Sequence, residues 1–365
     1  MSEQKESGVG RRGFLGALGA GAAVLAAAPL ISAATPAHAQ SEAEATSTTP
    51  VARTRLIPRT EQTLTTLGLG TFLTFDALPG DDRSNLQEVF QRYVAGGGRV
   101  VDTSPLYGSA ELSVGAFLAG TPEASEIFVA NKIWSTGEYA GDESHAERSL
   151  EQSRLRVWRD TIDLMQCHAL VNAGAVLPLM QAWKREGRIR YVGATHHENG
   201  AHDQLAQLVE TDAVDFIQTN YSIFNRGAED RLLPAAADRG VGVFINLPLE
   251  KARLMRVVEG QPLPDFAREF EAATWVQFFL KWVMGHPAVT TVLCGTSNPA
   301  HAEDNVQAMY GPLPDEAMRQ RMVQHMETIP GFADIGRMPW YPGKEGRYQG
   351  LMQAAQARVL ARMAE

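Results

Sequence analysis

Four side chains that can hold or move a proton stand at the ends of short apolar segments. Asp102 ends one such segment, Tyr107 follows in the next turn, and Lys132 and His168 end two later segments. A buried ammonium lowers the pKa of a nearby phenol, a carboxylate holds that ammonium charged and in position, and an imidazole can hydrogen-bond a carbonyl oxygen. Together the four residue types predict a proton donor prepared for a carbonyl oxygen.

Each of these side chains also has a purely structural explanation. Asp102 could cap a helix or form a turn, Lys132 could be a buried cation paired with it, and His168 could be a hydrogen-bonded core residue. Their shared position at segment ends favours a catalytic role over a structural one, because the carboxyl ends of the strands in a parallel barrel meet at one mouth.

Short apolar segments alternate eight times with segments of helical periodicity. The predicted strands cover residues 67–71, 99–102, 127–132, 161–168, 189–194, 214–219, 241–246 and 289–294, and the predicted helices cover 82–95, 110–118, 144–156, 173–186, 201–209, 228–239, 266–284 and 299–309. Repeated βα alternation without a change in composition predicts a single closed (β/α)8 TIM barrel of the α/β class over residues 54–330.

Two further segments flank this barrel. Residues 54–66, with a turn at 59–62, predict a short hairpin that closes the N-terminal end of the barrel. Residues 331–365 predict an apolar loop at 338–343 followed by a helix over 347–363. Two interpretations of this C-terminal extension stay open: it packs on the barrel exterior, or its loop folds over the mouth and lines the substrate pocket.

Residues 1–39 resemble a twin-arginine export signal. Arg11 and Arg12 precede a Gly/Ala/Leu-rich stretch, and Ala37-His38-Ala39 is typical of a cleavage site. The alternative, a membrane anchor, is less favoured because the stretch is rich in Gly and Ala rather than in larger apolar residues. We expect export to the periplasm by the twin-arginine machinery, no stable membrane span after cleavage, and a disordered linker over 40–53.

Composition excludes several classes of function. The formal net charge is −9 and the chain has no cluster of Lys and Arg, so nucleic acid and anionic membrane surfaces are not expected partners. Cys167 and Cys294 are the chain's two cysteines, and both fall in predicted strands. We expect two buried thiols without a disulfide framework.

The chain resembles the aldo-keto reductase superfamily over most of the predicted barrel, approximately residues 67–309. The resemblance rests on the motifs 101–108 (VDTSPLYG), 130–132 (ANK), 166–168 (QCH), 187–193 (GRIRYVG), 218–222 (QTNYS) and 295–299 (GTSNP). It implies that Asp102, Tyr107, Lys132 and His168 form that family's tetrad. The implied reaction is reversible hydride transfer between nicotinamide and a carbonyl carbon, with Tyr107 as general acid in reduction and general base in oxidation.

The resemblance also implies a set of cofactor contacts, some of which differ from the family pattern. Thr195 and His196 stand where a Ser-Asn pair usually holds the nicotinamide carboxamide, and Gln218 matches the usual third partner. Asn246 stands where an aromatic ring often stacks on the nicotinamide. The remaining positions, around the adenosine and its phosphate, are Gly295, Thr296, Ser297, Asn298, His301, Glu303 and Asn305.

NADP is the expected cofactor. NAD stays possible, because the loop expected to bind the phosphate carries none of the Lys or Arg residues common in the family. We expect no metal site, since neighbouring side chains such as His196 and His197 should point apart. A cofactor loaded before export is expected to stay bound.

Two other functions stay open at this point. The barrel could bind a cofactor in a sensory or partner-binding role with little turnover, or Lys132 could form a Schiff base as in aldolases. The substrate is expected to be a small-molecule carbonyl compound or alcohol, but the tetrad does not determine which one. Aromatic candidates for the pocket wall are Trp134, Tyr221, Phe224 and Trp340.

Overall fold

This computed structural model describes residues 51–135 and 144–343. The predicted signal peptide, most of the predicted linker and the predicted helix over 347–363 lie outside the described residues. Within the described ranges, no helix has the length and apolar character needed to cross a membrane.

The described chain forms ten strands and ten α-helices, joined by short 3-10 turns. The strands are β1 Thr54–Leu56, β2 Thr63–Thr65, β3 Leu67–Gly70, β4 Val100–Asp102, β5 Phe128–Ile133, β6 Ile162–His168, β7 Ile189–Thr195, β8 Phe216–Asn220, β9 Gly242–Asn246 and β10 Thr291–Leu293. The helices are α1 Ser84–Ala95, α2 Ala110–Ala119, α3 Ser144–Val157, α4 Ala173–Arg185, α5 His202–Glu210, α6 Leu232–Arg239, α7 Arg253–Val257, α8 Trp275–Met284, α9 Pro299–Gln307 and α10 Glu316–Glu327.

Strands β3 to β10 close into a parallel barrel in the order β10-β3-β4-β5-β6-β7-β8-β9. This confirms the predicted (β/α)8 fold, and each of the eight predicted strands overlaps an observed one. The register brings residues from successive strands to one level: Lys132 pairs with Gln166, and His168 pairs with Thr195. The carboxyl ends of the strands therefore meet in one mouth.

The helical predictions were wrong in two places. Residues 266–284 do not form one helix, because Glu271 adopts a left-handed backbone (φ 55°) after a 3-10 turn at Asp265–Phe270. Thr274 then starts α8 by accepting a hydrogen bond from the Gln277 amide. Helix α10, capped by Asp315, was not predicted; its largely polar sequence gives a weak apolar period.

Strands β1 and β2 pair antiparallel and form the predicted hairpin. Ile57 and Leu64 are buried in an apolar cluster with residues at the starts of the barrel strands, among them Val100, Phe128 and Phe216. The hairpin therefore fills the N-terminal end of the barrel with apolar side chains, as its position in the sequence suggested.

Ordered contacts begin before residue 54, where the predicted linker was expected to end. The Arg53 amide donates to the Met309 carbonyl at 3.1 Å, and the Arg53 guanidinium donates to the Gly311 carbonyl at 2.5 Å. Ala52 packs against the core. The last residues of the predicted linker are thus attached to the barrel, because a long arginine side chain can reach free carbonyls beyond α9.

The described part of the C-terminal extension runs back toward the mouth. A 3-10 turn at Phe332–Arg337 places Phe332 edge-on to Phe224, with ring centroids 5.7 Å apart. Farther on, the Trp340 ring contacts His197, which follows β7. Trp340 thus contacts a residue beside the mouth, whereas Phe332 and Met338 pack against the core.

Candidate active site

The tetrad is positioned by three strand ends and one turn. Asp102 is the last residue of β4, Lys132 lies one residue before the end of β5, and His168 is the last residue of β6. Tyr107 is held by a turn in which its amide donates to the Ser104 carbonyl at 3.0 Å. All four predicted side chains therefore reach the same mouth.

Asp102 and Lys132 form a buried ion pair. The Lys132 ammonium donates to both carboxylate oxygens of Asp102 at 2.7 Å and to the Thr103 carbonyl at 2.8 Å. Burial raises the pKa of Asp102 and lowers the pKa of Lys132, and the attraction between the two charges opposes both shifts. The three hydrogens of the ammonium thus have three acceptor oxygens, which hold Lys132 as the charged partner of Asp102.

Tyr107 is a protonated phenol in this arrangement. Its ring lies 4.9 Å from the Lys132 ammonium. Burial raises the pKa of Tyr107 well above its ordinary value, and the Asp102 carboxylate raises it further. Burial and the Asp102 carboxylate together outweigh the lowering of this pKa that the sequence predicts from the nearby ammonium. The phenol keeps its proton at neutral pH and can donate it.

His168 is neutral and contacts Ser104. Burial lowers the pKa of His168 to about 3, with the Lys132 charge as a further cause. The Ser104 hydroxyl lies 3.1 Å from His168 Nδ1 and accepts from the Leu106 amide at 3.1 Å. The hydroxyl can donate its own hydrogen to Nδ1, and in that tautomer the imidazole hydrogen is on Nε2.

Ser104 belongs to the motif 101–108, but its contact with His168 was not predicted. A Ser two residues before an amide in a turn is the local signal that could have identified it. The His168 ring also lies edge-on to the Tyr107 ring, with centroids 5.9 Å apart. A neutral Nε2–H donor and a protonated phenol can thus both serve a carbonyl oxygen.

Three amide side chains near the carboxyl ends of β6, β8 and β9 have oxygens that lack donors among the described residues. Gln166 Oε1, Gln218 Oε1 and Asn246 Oδ1 are buried without a hydrogen-bond partner in the described part of the chain. Gln166 donates to Asp102 through its other end, at 3.3 Å, and Gln218 also hydrogen-bonds Asp102. Unpaired buried acceptors are costly, so a cluster of them suits a ligand that brings N–H donors.

Of these three amides, only Gln218 was predicted as a ligand contact. Asn246 was expected to occupy the place of a stacking ring, and Gln166 had no predicted role. Their inward position follows from the alternation of side chains along β6, β8 and β9 once the register is known.

Thr195 and His196 end the next strand. Thr195 is buried at the end of β7, level with Gln218 of β8. His196 Nδ1 accepts from the Glu198 amide at 3.2 Å, which fixes the imidazole. The expectation that His196 and His197 point apart was wrong: their rings stack with centroids 5.4 Å apart and planes 6° apart. Among the residues described, no three potential metal ligands are grouped.

The loop after β10 presents the N-terminus of α9. A Cβ at Gly295 would lie 2.6 Å from the Gly70 carbonyl oxygen, so the close approach of these two strand ends requires glycine. Thr296 Oγ1 accepts from the Asn298 amide at 3.0 Å, and Asn298 caps α9 by accepting from the Ala300 amide at 3.0 Å. Ser297 is exposed directly before the N-terminus of α9, where the helix dipole favours a phosphate; Pro299 has no amide hydrogen, and the Ala300 amide donates to the cap.

The predicted adenosine contacts are divided between surface and core. His301 is exposed, and Glu303 forms an ion pair with Arg92 of α1. Asn305 is buried, and its amide donates to Cys294 Sγ at 3.3 Å. Asn305 therefore supports the packing of α9 on the barrel in this conformation instead of presenting its amide to a ligand, because it lies on the face of the helix toward β10.

Two of the predicted pocket-wall residues lie elsewhere. Tyr221 is fully buried, with its ring 5.1 Å from Trp282 and its phenol hydrogen-bonded to Glu229, so its prediction was wrong. It is the first residue beyond β8 and turns into the helical layer. Phe224 packs on the 3-10 turn of the C-terminal extension through Phe332.

Aromatic and basic side chains surround the upper part of the mouth. The Lys251 ammonium lies 3.1 Å from the Trp340 ring centroid and 5.7 Å from that of Phe72. Trp340 in turn approaches the His197 ring at 6.3 Å. Trp134, the other predicted aromatic, is partly exposed directly after β5.

A model of the aldo/keto reductase family matches residues 66–322, which is more than half of the chain and contains the whole barrel. The chain belongs to this family. This agrees with the resemblance that the tetrad motifs carry, and the family assignment makes the protein an oxidoreductase.

Curated relatives are similar to the chain at low identity. An NADH-specific methylglyoxal reductase of Escherichia coli is 25% identical over 303 residues, which is 68% of this chain and 91% of the relative. An L-galactose dehydrogenase of Arabidopsis thaliana is 27% identical over 272 residues, or 66% of this chain and 82% of the relative.

Solved structures agree on the fold. The holo form of an aldo-keto reductase from Bacillus halodurans aligns with a TM-score of 0.61 at 22% identity, covering 75% of this chain and 96% of that one. An aldo-keto reductase from Klebsiella pneumoniae in complex with NADPH also gives a TM-score of 0.61 at 22% identity, covering 77% and 96%.

Proposed function

We propose that the protein is an NAD(P)-dependent oxidoreductase that interconverts a carbonyl compound and its alcohol, with Tyr107 as the proton donor. The observation that carries the proposal is the buried tetrad, in which a protonated phenol and a neutral imidazole lie beside the Asp102–Lys132 ion pair. Family membership and relatives named as reductases and dehydrogenases support it.

The residues present fit a nicotinamide cofactor. A carboxamide brings two N–H donors, and the buried oxygens of Gln166, Gln218 and Asn246 lack donors in the described ranges. Thr195 lies level with Gln218 and adds a hydroxyl. Bound nicotinamide supplies or accepts the hydride; the side chains named here would hold its ring at the mouth.

The chain's own groups manage the proton. In reduction, Tyr107 donates its hydroxyl proton to the carbonyl oxygen while His168 Nε2–H hydrogen-bonds the same oxygen. Lys132 stabilises the phenolate that remains, since its ammonium lies 4.9 Å from the ring. Asp102 keeps Lys132 charged and in place. In oxidation, the same phenolate accepts the alcohol proton.

We propose NADP as the first cofactor to test, with NAD as the alternative. The NADPH-bound structure from Klebsiella pneumoniae supports NADP, and the name of the Escherichia coli relative supports NAD. The described phosphate loop offers Thr296, Ser297 and the α9 N-terminus but no Lys or Arg between Gly295 and Asn305. Fluorescence titration of the purified protein with NADPH and NADH measures the two affinities directly.

The test of the reaction is the variant Tyr107→Phe. Loss of the proton donor should reduce carbonyl reduction by about 10²- to 10⁴-fold while the affinity for NADPH stays near that of the wild type. Steady-state reduction of an aldehyde panel and a parallel binding titration measure both. A variant that reduces aldehydes as fast as the wild type would refute the role of Tyr107, and a wild type that binds cofactor without turnover would favour the binding-barrel alternative.

We also propose that the protein is exported folded, with its cofactor bound, through the twin-arginine pathway. The support is the Arg11-Arg12 pair and the Gly/Ala-rich stretch that follows it. The full chain and its Arg11→Lys, Arg12→Lys variant should separate on cell fractionation, with the wild type in the periplasm and the variant in the cytoplasm. Export of both proteins to the same extent, or periplasmic enzyme that releases no cofactor on denaturation, would contradict the proposal.

A further inference from the structure

The phenol and the imidazole of the mouth are connected by one buried serine. Ser104 is fully buried in the turn after β4. Its carbonyl accepts from the Tyr107 amide at 3.0 Å, and its hydroxyl lies 3.1 Å from Nδ1 of His168. The turn that carries the phenol therefore also contacts the imidazole, which comes from β6, two strands farther around the barrel.

The backbone around His168 is fixed by main-chain contacts. His168 pairs with Thr195 at the end of β6. Ala169 and Leu170 then have φ of 52° and 57°, which is left-handed backbone that residues with a Cβ rarely adopt. The Val171 amide donates to the His168 carbonyl at 3.1 Å. These contacts set the position of the Cα atom, but the orientation of the imidazole depends on what its ring nitrogens bind.

The two ring nitrogens of His168 have different surroundings. Nδ1 is within hydrogen-bond distance of the Ser104 hydroxyl. Nε2 has no hydrogen-bond partner within residues 51–135 and 144–343. The Tyr107 ring lies edge-on to the imidazole, with ring centroids 5.9 Å apart. Nε2 is therefore the nitrogen that a carbonyl oxygen beside the phenol can bind.

The charge state of His168 makes the position of its one hydrogen important. Burial lowers the pKa of His168 to about 3, and the charges of Lys132, His197 and His196 lower it further. A neutral imidazole carries a hydrogen on one nitrogen and a lone pair on the other. Nε2 can donate to a substrate oxygen only if that hydrogen is on Nε2 and not on Nδ1.

The hydrogen bonds of the Ser104 hydroxyl favour the hydrogen on Nε2. The hydroxyl oxygen accepts from the Leu106 amide at 3.1 Å. Because an amide N–H cannot accept, His168 Nδ1 is the acceptor for the hydroxyl hydrogen among the described residues. With a hydrogen on Nδ1, the buried hydroxyl would have no acceptor there, and an unpaired buried donor is costly.

We propose that Ser104 is a positioning residue that orients His168 and keeps its hydrogen on Nε2, so that the imidazole donates to the oxygen that Tyr107 protonates. This inference rests on the proposed carbonyl reduction, because the carbonyl oxygen is the group that Nε2–H binds. In this role Ser104 acts through His168 and not on the substrate itself.

Nitrogen NMR of the purified protein, with isotope labels in its histidine rings, tests the tautomer without turnover. The His168 signals are identified by their loss in His168→Gln. At pH 7 the wild type should show hydrogen on Nε2 and an unprotonated, hydrogen-bonded Nδ1. Ser104→Ala should move part of the hydrogen to Nδ1, whereas Ser104→Thr retains a hydroxyl and should retain the wild-type signals. Hydrogen on Nδ1 in the wild type, or unchanged signals in Ser104→Ala, would overturn the proposal.

Aldehyde reduction by the same variants measures the consequence for the reaction. Ser104→Ala should lower kcat by about ten- to hundredfold, because a donor to the developing charge on oxygen is misplaced. The affinity for NADPH should stay near that of the wild type, and Ser104→Thr should recover most of kcat. Ser153→Ala is the control for losing a buried serine hydroxyl. Ser153 donates to Glu111 between α3 and α2, so its removal should leave kcat unchanged.

The double variant with His168→Gln separates this role from an effect on the turn, where the Ser104 hydroxyl also accepts from Leu106. If Ser104 acts through His168, Ser104→Ala should cause little further loss of kcat in the His168→Gln background. An equal fold-loss in both backgrounds would overturn the proposal in favour of a role in the Tyr107 turn. If the wild type reduces no aldehyde, the proposed function fails. The NMR signals then still decide the role of Ser104: a shift of hydrogen to Nδ1 in Ser104→Ala supports it, and unchanged signals overturn it.

Discussion

The two ends of the barrel are made by the same strands but have opposite chemistry. At the N-terminal end, Phe128, Phe216 and Phe244 pack ring against ring, with centroids 5.3 to 6.2 Å apart, under the side chains of the hairpin. At the mouth, the same level of burial encloses Asp102 and Lys132. One end is closed by apolar packing, and the other keeps charges away from water.

The change takes place within a few residues of each strand. Phe216 and Gln218 are two residues apart on β8, and Phe128 and Lys132 are four apart on β5, so in each strand both side chains point into the barrel. Phe244 and Asn246 repeat the pattern on β9. Inside the barrel, apolar packing is thus concentrated at one end of each strand and the tetrad at the other.

The largest expected effect comes from removing one charge at the mouth. Lys132→Met leaves the Asp102 carboxylate buried and unpaired, which should lower the free energy of unfolding by about 3–5 kcal/mol. It should also reduce carbonyl reduction by about 10²- to 10⁴-fold, because the phenolate of Tyr107 loses its stabilising charge. Urea unfolding and steady-state kinetics measure the two losses.

The double variant Asp102→Leu, Lys132→Met is the control for this prediction. With both charges replaced by apolar groups, the free energy of unfolding should return to near the wild-type value or exceed it, while activity stays lost. A double variant as unstable as Lys132→Met alone would mean that the ion pair stabilises the fold, and the contrast between the two ends would not hold.

At the other end, Phe216→Ala should affect stability alone. Phe216 is fully buried between Phe244 and Tyr191, so its truncation should lower the free energy of unfolding by about 3–5 kcal/mol. kcat/KM measured well below the unfolding temperature should stay within about threefold of the wild type, an effect under 1 kcal/mol. A large fall in kcat/KM for the folded variant would show that the two ends are coupled.

Most of the barrel could be predicted because its signal is local. Each strand is a short apolar run between turn residues, and the tetrad residues stand at the ends of three such runs. The helix predicted over 266–284 was wrong because a left-handed Glu271 and the Thr274 cap depend on packing against α9, where Asp304 accepts from Thr274. Such tertiary contacts cannot be predicted from the periodicity of apolar residues along the chain.

The site was predictable in its residue types and less so in its electrostatics. The four tetrad side chains follow from position, but the raised pKa of Tyr107 depends on its burial and on the nearby Asp102 carboxylate. Lys251 gave no signal, because no sequence rule foresees three successive non-glycine residues with positive φ. These features come from contacts between segments far apart in the chain.

The pH dependence of stability gives the smallest and most specific test of the mouth. Burial lowers the pKa of His168 to about 3 in the folded protein, whereas an unfolded chain protonates this imidazole below about 6.5. Between these two values the unfolded state holds one more proton, so stability falls as the pH falls, by up to about 1.4 kcal/mol per pH unit. His168→Gln removes this contribution. Its free energy of unfolding, measured in urea at pH 7, 6 and 5, should therefore rise relative to the wild type as the solution becomes more acidic.

His286→Gln is the matched comparison, because burial lowers the pKa of His286 to about 4 outside the mouth. Parallel pH profiles for His168→Gln and the wild type would show that His168 has the same pKa in the folded and unfolded protein, and burial at the mouth would then not be what keeps the imidazole neutral.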